Sequence, residues 1–129
     1  MGAVVFASPG FKVLQVGMSA VPGGALTQIP LITGFISMVT ASASGALGIV
    51  IPTFGKAWIA AGIAPEAVHR ISALSSAVFS AMPHSGFLFS CMAVFGVKHK
   101  DVYRQMFLFG FSGGFICLIV ALIMAATIY

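Results

Sequence analysis

Charge is the scarcest commodity in this 129-residue chain: six Lys and Arg stand against Glu66 and Asp101, and nothing charged occurs between Lys12 and Lys56. With only 6% of residues charged and no basic patch interleaved with aromatics, a nucleic-acid partner is excluded. Cysteine is nearly absent too. Cys91 and Cys117 lie in separate apolar segments without a C-x-x-C spacing, so they read as buried free thiols rather than a disulfide or a metal pair. The three histidines, His69, His84 and His99, are spaced at 15 residues with no acid or cysteine at a ligand spacing, so no metal is expected. Nucleotide-binding loops are lacking, and no cofactor is expected. The N-terminus has no basic segment before an apolar core and a small-residue cleavage site, so it does not read as a signal peptide.

What the chain has is hydrocarbon. Apolar residues make up 60% and the mean hydropathy is +1.12, more than a soluble domain can bury. The expectation is an all-α, multi-pass protein of the cell's inner membrane, with lipid as its main contact. The length provides for about four passes at roughly 20 residues each. Carriers with broken helices are built from two related halves, so a chain of this size is read as part of a longer carrier.

The uncharged run is interrupted by Thr40-Ala41-Ser42-Ala43-Ser44-Gly45-Ala46-Leu47-Gly48. Small hydroxyl residues and glycines at that place free backbone groups that lipid cannot satisfy, so the stretch must face protein or water. Two readings compete. In one, residues 30–51 form a plain spanning helix opened by Pro30, with Ala41, Ser44, Gly45 and Gly48 as packing positions against a neighbour. In the other, residues 30–41 and 46–61 are arms of a re-entrant hairpin with its tip at Ser42 to Gly45.

Pro65-Glu66 starts the next helix, proline at the first position and an acid in the first turn. Unbroken to Val97 it would measure about 48 Å, against about 30 Å of hydrocarbon. The break falls at Ser80-Ala81-Met82-Pro83-His84-Ser85-Gly86, where proline removes a donor and glycine lowers helix propensity. Lys98 to Arg104 is the most basic loop, expected on the cytoplasmic side. A last apolar run, 105–128, is long enough to span and contains Gly110-x-x-x-Gly114, a packing seam. Residues 11–28, interrupted at Val21-Pro22-Gly23-Gly24, read as a short or interfacial helix. The whole of 1–129 is taken as a single membrane domain.

The two interruptions are the place for chemistry. Meeting at the midplane, they would form one polar pocket lined by Thr40, Ser42, Ser44 and Gly45 from the first and by Ser80, His84, Ser85 and Gly86 from the second. Helix N-termini there would attract an anion. His84 is the titratable group deep in an apolar stretch; it could move with protons, donate to the solute, or simply bond a backbone carbonyl at the break. Glu66 and Asp101 lie at segment ends. An enzyme reading also exists: Ala43-Ser44-Gly45-Ala46 is similar to the nucleophile motif of rhomboid proteases, with His84 as base, although Ser42 replaces their first glycine and the spans are too few for their bundle. A structural membrane segment with no chemistry is the third reading. The carrier is preferred, and no enzyme activity is expected.

In order and spacing, residues 10 to 125 resemble the C-terminal portion of the gluconate permease family of proton-linked symporters. The resemblance rests on Thr40 to Gly45 with Gly48-Ile49 and Pro52, on Ala61-Gly62-Ile63-Ala64-Pro65-Glu66 and His69-Arg70-Ile71, and on Pro83-His84-Ser85-Gly86 with Val94 to Lys100. It implies the second of two inverted repeats of an ion-transporter-type fold, with 30–61 a re-entrant hairpin, 66–97 a broken transmembrane helix and 105–128 a transmembrane helix. It also implies symport of a small organic anion such as gluconate or a related hydroxycarboxylate with a proton; His84, chosen for its place deep in an apolar stretch, is the expected coupling residue. The expected partners are that anion, the proton, the remaining half of the carrier and a second copy in a homodimer. The sequence departs from the family at Ser80, where members often carry an acid.

Overall fold

In the computed structural model, residues 16–17 and 24–128 are described, and among them every regular element is helical. Of the short helix expected over 11–28, residues 11–15 and 18–23 lie outside the described set, and Ala25 onward belongs to the next helix.

Helix α1 runs Ala25–Thr40, starting five residues before the proline expected to open it. Pro30 is tolerated inside because it sits early, where it removes a single hydrogen bond, while Thr27 Oγ1 donates to the Gly24 carbonyl at 2.8 Å and closes the first turn. The plain helix over 30–51 does not form. Ala41 takes the left-handed conformation (φ 50°, ψ 31°), which ends α1, and Ser42 is extended (φ −147°, ψ 116°). Helix α2, Ala43–Ala60, begins at once because the Ser42 hydroxyl accepts from the Gly45 amide at 3.2 Å. The turn is therefore two residues, Ala41 and Ser42, and Ser44 and Gly45 lie in the first turn of α2 rather than in a loop. Of the small residues proposed as packing positions, the two glycines pack on no neighbouring helix among the described residues: a Cβ on Gly48 would meet nothing within 4 Å, and one on Gly45 would meet only Ser42.

Helix α3, Pro65–Ser80, follows the short connection containing Gly62 (φ 94°). Proline at N1 and Glu66 in the first turn favour its start. It packs against α1, α2 and the last helix, so it is the centre of the bundle. The core joins Ile29, Ile32 and Ile36 of α1, Ile49, Val50, Phe54 and Trp58 of α2, and Val68 and Ile71 of α3. Approach between α1 and α3 is close enough to require glycine: a Cβ on Gly34 would stand 2.6 Å from the Phe79 ring. Ser37 Oγ donates to the Ser76 carbonyl at 2.6 Å across the same seam, and both residues are fully buried.

Helix α4 covers Gly86–Phe95 and stops at Gly96, in the left-handed region at φ 65°. The basic stretch is not a loop. Lys98 is the N-cap of α5, His99–Met106, which continues through a π-helical segment, Phe107–Ser112, into α6, Gly113–Ile128. Asp101 in the first turn favours that start. A ladder of rings at four-residue spacing holds the register: His99 on Tyr103 (4.8 Å), Tyr103 on Phe107 (5.8 Å), Phe107 on Phe111 (4.9 Å) and Phe111 on Phe115 (5.9 Å). Phe79 of α3 meets Phe111 edge-on at 5.9 Å. Only half of the glycine seam packs: Gly114 lies against Val78, where a Cβ would come within 2.7 Å, whereas Gly110 has open space.

Two helices, Ala43–Ala60 and the continuous His99–Ile128, are long and apolar enough to cross a membrane. At 1.5 Å per residue they measure about 27 Å and about 45 Å. The outer surface is correspondingly apolar, with Val94, Phe95 and Phe109 each more than three-quarters exposed.

Candidate functional site

Two helix interruptions face each other across one cavity of about 840 Å³. The first is the Ala41-Ser42 turn. The second is residues 81–85, where α3 ends and the Ser85 amide donates to the Met82 carbonyl at 2.9 Å. Pro83 occupies the second position of that four-residue turn, the place its fixed φ favours, and His84 is presented at the third.

The cavity brings together Thr40, Ser42 and Ser44 from one interruption and Ser80, His84, Ser85 and Gly86 from the other. Gly45 stands just behind the wall, its amide held by Ser42. Its remaining lining includes Ala77, Phe87, Leu88 and Met106. Among the described residues, no Asp, Glu, Lys or Arg lines it, so His84 is the charge-bearing candidate.

Most polar groups here are already engaged. Thr40 Oγ1 donates to the Ile36 carbonyl at 2.8 Å and lies 3.2 Å from the Ser42 carbonyl. Ser80 Oγ donates to the Ala77 carbonyl at 2.9 Å. Ser42 Oγ caps α2 and sits 3.5 Å from Ser44 Oγ. His84 Nε2 is 2.8 Å from the carbonyl oxygen of Met38. Since a carbonyl only accepts, Nε2 carries the hydrogen there, and Nδ1 is left to accept from a solute or to take a proton. Met38 is in the last turn of α1, where carbonyls have no donor within the helix, so His84 satisfies one of them and ties one interruption to the other.

This geometry does not make the pair that a serine protease needs. Ser44 Oγ contacts Ser42 Oγ, while His84 Nε2 is committed to a backbone carbonyl. Among the described residues, no group of three His, Cys, Asp or Glu is placed to hold a metal.

Sequence reasoning missed Met106. It reaches the cavity from α5, one residue before the π-helical segment, a distortion frequently found at functional positions. Nothing in its local sequence marks it, because its place depends on how α5 folds back over the break.

No protein-family model matches the chain, and no solved structure matches it. The chain is similar to an uncharacterized transporter, YxjC of Bacillus subtilis (strain 168), with 31% identity over 110 residues, 82% of this chain. It spans about a quarter of that relative's length, 23%. A chain whose described residues form only helices, two of them apolar and of membrane length, is thus similar to a segment of a transporter.

Proposed function

We propose that this chain is part of a multi-pass inner-membrane carrier for a small organic anion, such as gluconate or a related hydroxycarboxylate, working by proton symport. The observation that carries the reading is the convergence of two helix interruptions, 41–42 and 81–85, on one cavity with no acidic side chain in its lining. Free backbone ends at such depth are tolerable only against protein or water, and carriers place their solutes at such breaks. α1 and α2 act as a re-entrant pair whose tip, Ala41-Ser42, reaches the solute from one side, and the 81–85 break meets it from the other. The remaining part of the carrier closes the cavity and completes alternating access. Similarity to a transporter supports the class, and the hydroxyl-rich lining supports a hydroxylated solute. The chain has no enzymatic role in this reading.

Proton coupling falls to His84. It bridges the breaks through the Met38 carbonyl, and a histidine changes charge near neutral pH. Uptake of labelled gluconate by vesicles holding the intact protein, driven by an imposed proton gradient, tests the reading. Saturable, gradient-dependent uptake is expected. Vesicles that take up no hydroxycarboxylate under any gradient would end it.

A further inference from the structure

Two helices begin at this cavity, and they begin differently. α2 starts under a side-chain cap, the Ser42 hydroxyl on the Gly45 amide. α4 has none: Ser85 is its N-cap residue by backbone geometry, yet its hydroxyl does not bond the helix. The Ser85 carbonyl receives the first helical bond, from Phe89 at 3.2 Å, so the amides of Gly86, Phe87 and Leu88 have no helical acceptor. Ser85 is 4% exposed, and its hydroxyl makes no hydrogen bond among the described residues, although the residue lines the cavity. The residue is packed, but its oxygen is not sealed off: it opens onto the cavity with its donor unspent.

The negative ends of helices at the cavity are treated in the opposite way. At the end of α1, His84 covers the Met38 carbonyl. At the end of α3, Ser80 covers the Ala77 carbonyl. Side-chain donors at the cavity are spent on blunting partial negative charge, while the start of α4 keeps all three of its first amides open beside an unpaired donor, against two, Ala43 and Ser44, at the start of α2. With no charged side chain among the described lining residues, this asymmetry sets the local field.

We infer that the start of α4, the amides of Gly86 to Leu88 with the Ser85 hydroxyl, is the charge-recognising pole of the cavity and takes the carboxylate of the solute. The opposite wall, at the Ala41-Ser42 turn, meets its uncharged hydroxylated end. A carboxylate there gains up to three backbone donors, the hydroxyl and the helix dipole together. The assignment rests on the carrier reading and adds which end of the anion faces which wall.

The test compares gluconate with its neutral amide, gluconamide, as competitors of labelled gluconate uptake by the intact protein in vesicles. Wild type should prefer gluconate over gluconamide by at least about tenfold, the worth of a charge-assisted hydrogen bond. Ser85→Ala should weaken gluconate by about tenfold and leave gluconamide nearly unmoved. Phe87→Asp would place a resident carboxylate on the open pole and should weaken gluconate at least about tenfold more than Phe87→Asn, which matches Asp in size but is uncharged. Each variant is first checked for monodisperse elution in detergent, which separates misfolding from lost recognition. Equal effects of Phe87→Asp and Phe87→Asn, or an unchanged gluconate preference in Ser85→Ala, would overturn the pole while leaving the carrier standing. A wild type that takes up no carboxylate would overturn both.

Discussion

His84 Nε2 donates to the carbonyl oxygen of Met38 at 2.8 Å, across 46 positions of sequence. The bond joins the end of α1 to the turn that separates α3 from α4. With Nε2 donating to Met38, Nδ1 remains an acceptor that can face a solute donor.

His84→Ala should remove both the tie and the titratable group, so gradient-driven uptake is lost. His84→Gln retains a donor for Met38 but cannot change charge. It should keep the protein stable and permit exchange of solute down its own gradient while losing proton-driven accumulation. Measuring counterflow and gradient-driven uptake side by side checks this. Normal accumulation in His84→Gln would remove His84 from coupling.

Ala41 is the non-glycine residue with positive φ among the described residues. A left-handed alanine costs about 1–2 kcal/mol relative to a relaxed one. Ala41→Gly should therefore stabilise the α1–α2 turn by up to about 1 kcal/mol, less the entropy glycine adds to the unfolded chain. Thermal or SDS-induced unfolding in detergent reads the shift. A lower midpoint for Ala41→Gly would contradict the turn geometry.

Gly34→Ala places a methyl group 2.6 Å from the Phe79 ring, which also meets Phe111 edge-on. The ring cannot yield without disturbing the contact between α3 and the π-helical segment, so a loss of about 1–3 kcal/mol is expected, typical of overpacking. Adding Phe79→Leu should recover part of it. Purely additive losses in the double variant would show that the two sites do not touch.

Ser37→Ala deletes the buried hydroxyl on the Ser76 carbonyl, with a loss of about 0.5–1.5 kcal/mol. Ser90→Ala, which removes only an exposed hydroxyl bonded within α4, should change stability by less than about 0.5 kcal/mol. Unfolding midpoints for the two, measured together, should differ in that order.

The interruptions were visible in sequence because proline, glycine and hydroxyl residues inside an uncharged run have few physical outlets. Where the first break falls was less legible. Gly45 invites a turn at its own position, but the chain turns at Ala41, a residue with no left-handed preference, because Ser42 can cap α2 at once. Pro30 looked like a helix start and lies inside α1, since one lost bond near the beginning costs little. The charge of Lys98 to Arg104 suggested a loop, yet four-residue ring spacing from His99 to Phe115 sustains a helix through it. The bond from His84 to Met38 and the reach of Met106 depend on tertiary folding and leave no local trace. The uncapped start of α4 is equally silent, because Ser85 is the residue that a capping rule would expect to bond its own helix.

The central claim is that residues 41–42 and 81–85 share a water-filled chamber. With Cys91 and Cys117 replaced, single cysteines at Ser44, Gly86 and Phe109 in the intact, membrane-embedded protein can be challenged with a water-borne thiol reagent. Phe109 is 80% exposed on the outer apolar face, so it serves as the lipid-facing comparison. The account predicts labelling at Ser44 and Gly86, slowed by gluconate, and none at Phe109. Labelling at Phe109 with silence at Ser44 and Gly86 would contradict it.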